Sequence, residues 1–126
     1  MRALIKISVI VILIMAIGSS CEKDIVATEI KPCNLSNSIK SASNLHGVVG
    51  LNSSVNSYAI HVSIQGTYDS QDVGFVCNLP EKYRVDGLKI VFSGKYFKYE
   101  NKDLQQIPGQ SYYILELDEI QVEANN

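Results

Sequence analysis

Tyr58-Ala59-Ile60-His61-Val62-Ser63-Ile64-Gln65 alternates without a break: Tyr58, Ile60, Val62 and Ile64 fall on one face, Ala59, His61, Ser63 and Gln65 on the other. A period of two marks a half-buried strand, because successive side chains of an extended chain point to opposite sides. Upstream, Leu45 to Leu51 reads as a first strand, turned back by Asn52-Ser53-Ser54-Val55-Asn56. Downstream, Gly66 and Asp69-Ser70-Gln71-Asp72 end the second strand, and Val73 to Cys77 makes a short third. Leu79 to Gly87 carries Pro80 near its front, Glu81 in the first turn and Gly87 at its end, which suits a helix of about two turns or a polar loop. Strand character resumes with Leu88, Ile90 and Phe92 on one side and Lys89, Val91 and Ser93 on the other, and Gly94 bends or bulges the strand before Tyr96 and Phe97. Asn101 to Gln110 is a polar loop holding Pro108-Gly109. The last strand runs from Ser111 to about Val122, with Leu115 and Leu117 on the face of Tyr113 and a slip at Asp118-Glu119 returning Ile120 and Val122 to the inside.

Five strands with a short helix between the third and fourth is the element order of the OB-fold, so we expect an all-β domain, a five-stranded OB-fold-like Greek-key barrel. An open antiparallel sheet or a lipocalin-like half-barrel uses the same strands. Closure matters because an unpaired apolar edge invites association with neighbours. The chain holds no internal repeat and no low-complexity tract.

The N-terminus has a different character. Arg2 and Lys6 make a short positive start, Ile7 to Ile17 is almost unbroken apolar sequence, and Gly18, Ser19 and Ser20 lead into Cys21. A membrane-spanning helix needs roughly 20 apolar residues, so this run suits a cleaved export signal better than a permanent span. The arrangement resembles bacterial lipoproteins, whose signal ends in small residues before an acylated cysteine, although Gly18 stands where an aliphatic residue is usual. Cys21-Glu22-Lys23-Asp24 is similar to the charged signal that carries Bacteroidota-type lipoproteins to the outer face of the outer membrane; a solvated linker has the same composition. The resemblance implies a palmitate-type acyl anchor on Cys21, each buried CH2 contributing roughly 0.8 kcal/mol, and a lipid-anchored, cell-surface location in the outer membrane. The expected organisation is a signal peptide at 1–20, a lipidated tether and stapled segment at 21–44, and a β-barrel domain at 45–126.

Removing residues 1–20 leaves 106 of the 126, enough for one small domain. It also takes Arg2 and Lys6 from the 11 basic residues, leaving 9 against 13 acidic ones and a net charge of −4. Without a basic run this balance argues against nucleic acid and against a polybasic membrane patch. We expect a monomer whose only membrane contact is the bilayer around acylated Cys21.

With Cys21 acylated, Cys33 and Cys77 are the remaining thiols, delivered to a compartment where disulfides persist, and we expect them to pair. Closing a loop of about 45 residues stabilises a fold by roughly 4 kcal/mol in the chain-entropy model. The competing role, a catalytic thiol, needs a base, and the chain offers only His46 and His61. There is no H-E-x-x-H, no Gly-rich phosphate loop and no C-x-x-C. Asp69 and Asp72 are too sparse a pair for a calcium loop, and Asp118 and Glu119, adjacent on a strand, point apart. We expect no catalytic residues, no metal site and no cofactor, hence a non-enzymatic protein.

Seven of the ten aromatic residues are Tyr and none is Trp. Tyr58 and Tyr113 fit the apolar phase of their strands, whereas Tyr68, Tyr99 and Tyr112 fall at strand ends or off that phase, where a ring with a polar tip suits partner contact. The acylated signal, the cysteine-stapled leader, the five-stranded pattern and the missing catalytic set together resemble the potempins, surface lipoproteins of Bacteroidota-type bacteria that inhibit proteases secreted by the same cell. Val76-Cys77-Asn78-Leu79-Pro80-Glu81-Lys82-Tyr83, continuing to Gly87-Leu88-Lys89-Ile90, is similar to other small lipoproteins of this group. The resemblance implies an inhibitor of secreted endopeptidases, metallopeptidases foremost, with a secreted protease of the same cell as partner. The candidate inhibitory segment is Lys31-Pro32-Cys33-Asn34-Leu35, in which Pro32 fixes the backbone and Cys33 ties it down. The same segment also reads as a strapped-down tail sealing the barrel. Secondary contacts are expected from the two loops at Tyr68 to Asp72, including Asp69 and Ser70, and at Tyr99 to Gln110, and from Tyr112. The alternative function is a non-inhibitory surface module that binds a glycan or an outer-membrane protein.

Overall fold

The computed structural model describes residues 30–101 and 104–124; the signal peptide, Cys21 with the charged stretch after it, and the first part of the tether lie outside the described residues. The elements are β1 (Lys40–Asn52), β2 (Ser57–Ser63), β3 (Gln71–Val76), a 3-10 turn (Glu81–Tyr83), β4 (Lys89–Lys98) and β5 (Gln110–Val122). The strands close into a barrel in the order β1-β2-β3-β5-β4, with β4 returning to β1. All pairs are antiparallel except β3 with β5. The described residues are therefore all-β, with the strand order of an OB-fold-like barrel, and neither the open sheet nor the half-barrel.

The barrel is filled by inward residues of β1, β2, β4 and β5: Val49, Ile60, Ile90, Phe92, Tyr96, Leu115 and Leu117 form one buried cluster, joined by Leu79 and Tyr83 from the β3–β4 connection and by partly buried Val76 of β3. Burying an aliphatic or aromatic side chain of this size contributes about 1.5–3 kcal/mol, which makes the cluster the main stabilising feature.

Bulges bend the sheet. On β1, Ala42 pairs with Gly94 and Leu45 with Phe92, so three steps on one strand match two on the other, and Asn44 takes a left-handed φ of 48° inside the irregularity. Its N–H donates to the Ser93 hydroxyl at 3.0 Å. This explains why β1 begins at Lys40 rather than at Leu45: the extra residue shifts the inward phase, so Lys40 to Asn44 shows no period of two although Ala42 is buried. On β5, Leu117 pairs with Gly94 and Glu119 with Ser93, leaving Asp118 as the extra residue. The slip expected at Asp118-Glu119 is this bulge. It brings Ile120 back against the core, whereas Val122, expected inside as well, lies at the barrel end and is 55% exposed. Gly94 sits opposite the β5 bulge, and a Cβ there would collide with the Glu116 carbonyl oxygen.

The helix expected over 79–87 is a single 3-10 turn. Pro80 precedes it with extended backbone (φ −60°, ψ 144°) and no side chain caps it. Four residues later the chain is already captured by β1, Gly87 N–H donating to the Val49 carbonyl at 2.7 Å and Val49 N–H to the Leu88 carbonyl at 2.9 Å. A second helical turn would forfeit both bonds. Gly87 makes the reversal with φ 86°.

The two faces of β2 also differ from a simple inside and outside. Ile60 lies in the barrel, but Ala59 on the opposite face is equally buried, in a second cluster with Val73, Phe75 and Leu104. The loop between β4 and β5 folds back over the outer surface of β2 and β3 and covers it. Ile64, expected on the core face, lies past the end of β2 and is exposed.

Candidate functional site

The segment before β1 is tied down at several points. Ile30 packs on the barrel core. The Lys31 carbonyl accepts a hydrogen bond from Asn78 Nδ2 at 2.8 Å, and the Cys33 N–H donates to Glu116 Oε2 at 2.8 Å. Cys33 is joined to Cys77, with the two Cα atoms 6.2 Å apart. At the far end Ile39 N–H donates to the Tyr96 carbonyl at 2.8 Å and the chain enters β1. Between these anchors Lys31, Pro32, Asn34 and Leu35 are exposed, Leu35 at 39%. Asn34 and Asn37 have φ of 56° and 67°, so the segment turns twice rather than running straight. Asn tolerates that left-handed backbone better than most residues, and Asn-rich sequence here serves this path.

Asn78 organises the anchorage. Its Nδ2 also donates to the Leu117 carbonyl at 3.0 Å, and its Oδ1 accepts from the Leu117 N–H at 2.8 Å. β3 has ended at Val76, and the Asn78 amide continues the pairing with β5 while reaching outward to the leader. Glu116, on the outward phase of β5, supplies the second tie. Neither role has a local signature: Asn78 is one polar residue after a cysteine, and Glu116 reads as an ordinary outward strand residue.

The other candidate residues are dispersed. Tyr68 is fully exposed, beside exposed Asp69 and half-buried Ser70, in the turn before β3. That turn abuts the end of the β4–β5 loop, Gln71 N–H donating to the Gly109 carbonyl at 3.0 Å. The disulfide lies beyond the other end of β3, and six strand residues span about 20 Å, so the Tyr68 turn and the Cys33–Cys77 clasp sit apart. Tyr99 and Tyr112 stack on Phe75 with ring centroids 4.8 and 6.3 Å away. The Tyr112 hydroxyl donates to Gln110 Oε1 at 2.8 Å and accepts from Ile107 N–H at 3.0 Å. Both rings therefore help to hold the β4–β5 loop in place.

At the start of β1, Lys40 reaches into the barrel mouth. Its Nζ lies 2.5 Å from Asp72 Oδ2 and 4.4 and 4.9 Å from the Tyr113 and Tyr96 ring centres. The Tyr96 hydroxyl beneath is buried without a hydrogen-bond partner among the described residues. Burial pushes its phenol upward from the ordinary value, with the Asp72 and Tyr113 charges acting in the same direction.

His46 and His61 line an open groove of about 730 Å³ where the β1–β2 ladder stops at the Val48–His61 pair. Each imidazole has a neighbour of its own, His46 Nδ1 at 3.2 Å from Glu123 Oε1 and His61 Nδ1 at 3.3 Å from Gln71 Oε1. Among the described residues no three His, Cys, Asp or Glu side chains converge as a metal-binding group. No family model matches this chain, and no curated protein matches it.

Proposed function

We propose that this chain is a surface lipoprotein, anchored through acylated Cys21, that inhibits secreted endopeptidases, metallopeptidases foremost, by presenting Lys31 to Leu35 to the protease cleft. The observation that carries the reading is the pairing of exposure with anchorage: Pro32 and Leu35 face solvent while ties at Lys31, Cys33 and Ile39 hold the backbone around them. A segment ordered in advance loses little conformational entropy on docking, so more of its contact energy appears as affinity. If a protease cuts between Cys33 and Ile39, both new ends stay attached, one through the disulfide and one through the sheet, and the products leave slowly. Pro32 resists cleavage at its own peptide bond and narrows the backbone choices of its neighbour.

The test uses the acyl-free mature domain, with Cys21 replaced by Ser, against metallo, serine and cysteine proteases secreted by the producing cell. The expected result is inhibition of at least one at micromolar inhibitor, lost on combining Pro32→Ser with Leu35→Ser while thermal unfolding is unchanged. Absence of inhibition of every protease removes the reading. Anchoring is checked separately by intact-mass analysis of native material, in which residues 1–20 are missing and Cys21 carries acyl chains.

A further inference from the structure

Beside the leader a trough is made of two hollows that share three lining residues. One, about 290 Å³, is bounded by Lys31, Pro32 and Pro80; the other, about 380 Å³, reaches Leu51 and Tyr58; Cys77, Leu79 and Arg84 belong to both. The charged side chains that line it are of one sign. Two cations, Lys31 and Arg84, line it and no carboxylate does, in a chain whose overall charge is −2. Two carboxylates stand at its edges, each held by the backbone of a lining residue: Glu116 Oε2 accepts from Cys33 N–H at 2.8 Å and Asp86 Oδ1 from Leu51 N–H at 3.1 Å. Among the described residues neither Lys31 nor Arg84 forms an ion pair. Arg84 is nevertheless held in place, its Nε donating to the Leu79 carbonyl at 3.0 Å, which leaves the two terminal nitrogens of the fork for another acceptor.

We propose that this trough docks an acidic, extended peptide segment of a protein partner, with an Asp or Glu carboxylate on Arg84 and Lys31 and a neighbouring apolar side chain against Pro80. An oriented guanidinium is the side chain best matched to a carboxylate, since its parallel N–H groups meet both oxygens. Pro32 and Pro80 supply apolar contact beside the cations, which select against basic or neutral segments. The proposal rests on the inhibitor reading only for the partner's identity, as a protease whose cleft rim is acidic; the peptide chemistry stands on the trough alone.

The experiment titrates the ¹⁵N-labelled, acyl-free domain with acetyl-Glu-Leu-Glu-Leu-amide and, in parallel, with acetyl-Gln-Leu-Gln-Leu-amide, following amide shifts. The acidic peptide is expected to give saturable shifts at Lys31, Cys77, Asn78 and Arg84, with affinity falling as salt is raised, and the neutral peptide to give none. Arg84→Gln is expected to weaken binding about tenfold, and Lys31→Gln, whose side chain is exposed and whose backbone tie is retained, to weaken it in the same direction. Equal shifts with both peptides, no saturable shift, or unchanged affinity in Lys31→Gln and Arg84→Gln would overturn the proposal. Failure of the protease assay with retained acidic-peptide binding would remove the inhibitor reading and leave this site standing.

Discussion

Asn78 pairs with Leu117 as an additional strand residue would, its side-chain amide accepting from the Leu117 N–H at 2.8 Å and donating to the Leu117 carbonyl at 3.0 Å. The same Nδ2 holds the Lys31 carbonyl. One amide thus caps the end of β3, closes a gap against β5 and fastens the leader, a combination that only Asn offers at this reach, with a donor and an acceptor side by side.

Asn78→Ala removes all three bonds and strands the Leu117 backbone groups. The expected loss of stability is about 1–3 kcal/mol by urea unfolding, since partly buried groups are left without partners. The Lys31 to Ile39 stretch should become the first site of nicking by a broad-specificity protease, while Asn78→Gln recovers little because its amide sits one methylene too far out. Unchanged nicking kinetics in the Ala variant would contradict the clamp.

Cys33→Ser, or reduction of the native disulfide, opens a cross-link between residues 44 apart in sequence. The chain-entropy model places the cost at roughly 4 kcal/mol. Because the strap retains Asn78 and Glu116, the barrel is expected to remain folded with a lowered urea midpoint rather than to collapse. The check is unfolding with and without reductant, which should affect the wild type and leave Cys33→Ser unmoved.

Gly94→Ala places a methyl against the Glu116 carbonyl at the β5 bulge. Backbone cannot give way there without undoing the Leu117 and Glu119 pairings on either side of Asp118. A loss of more than about 3 kcal/mol is expected, within the range of severe overpacking and broken sheet register, read as a fall in melting temperature.

Tyr96 predicts an alkaline limit. Its folded-state pKa is raised above the ordinary 10.0 by burial first, then by Asp72 and Tyr113. Below pH 10 both folded and unfolded chains keep the proton, so the full stability is present; above it the unfolded chain releases the proton and the folded chain does not. Stability then falls by up to about 1.4 kcal/mol per pH unit from this one group. Tyr96→Phe should flatten that decline in urea unfolding between pH 9 and 11 and, because the hydroxyl finds no partner in the barrel, should be neutral or stabilising by about 1 kcal/mol at neutral pH. An unaltered alkaline slope would show that other groups govern it.

Much of the barrel was legible because strand alternation is a local property: side-chain direction follows from each residue's own backbone, so Ile60, Ile90, Phe92, Leu115 and Leu117 announce their shared side without knowledge of their neighbours. The disulfide was legible by a different route, two thiols remaining once Cys21 is assigned to lipid. The 3-10 turn was not, because the bonds that end it belong to Val49, nearly forty residues upstream.

The sequence by itself determined the strand periodicity and the slip near Asp118 and, with Cys21 set aside for lipid, pointed to the pairing of Cys33 with Cys77. Only the tertiary structure decided that the strands close into a barrel, that Ala59, Val73 and Phe75 are buried on the outer face with Tyr99 and Tyr112 stacked on Phe75, and that Asn78 and Glu116 hold the leader. The reason is physical: conformation is set within a few residues, whereas burial and hydrogen-bond partnership depend on what the folded chain brings alongside from tens of positions away.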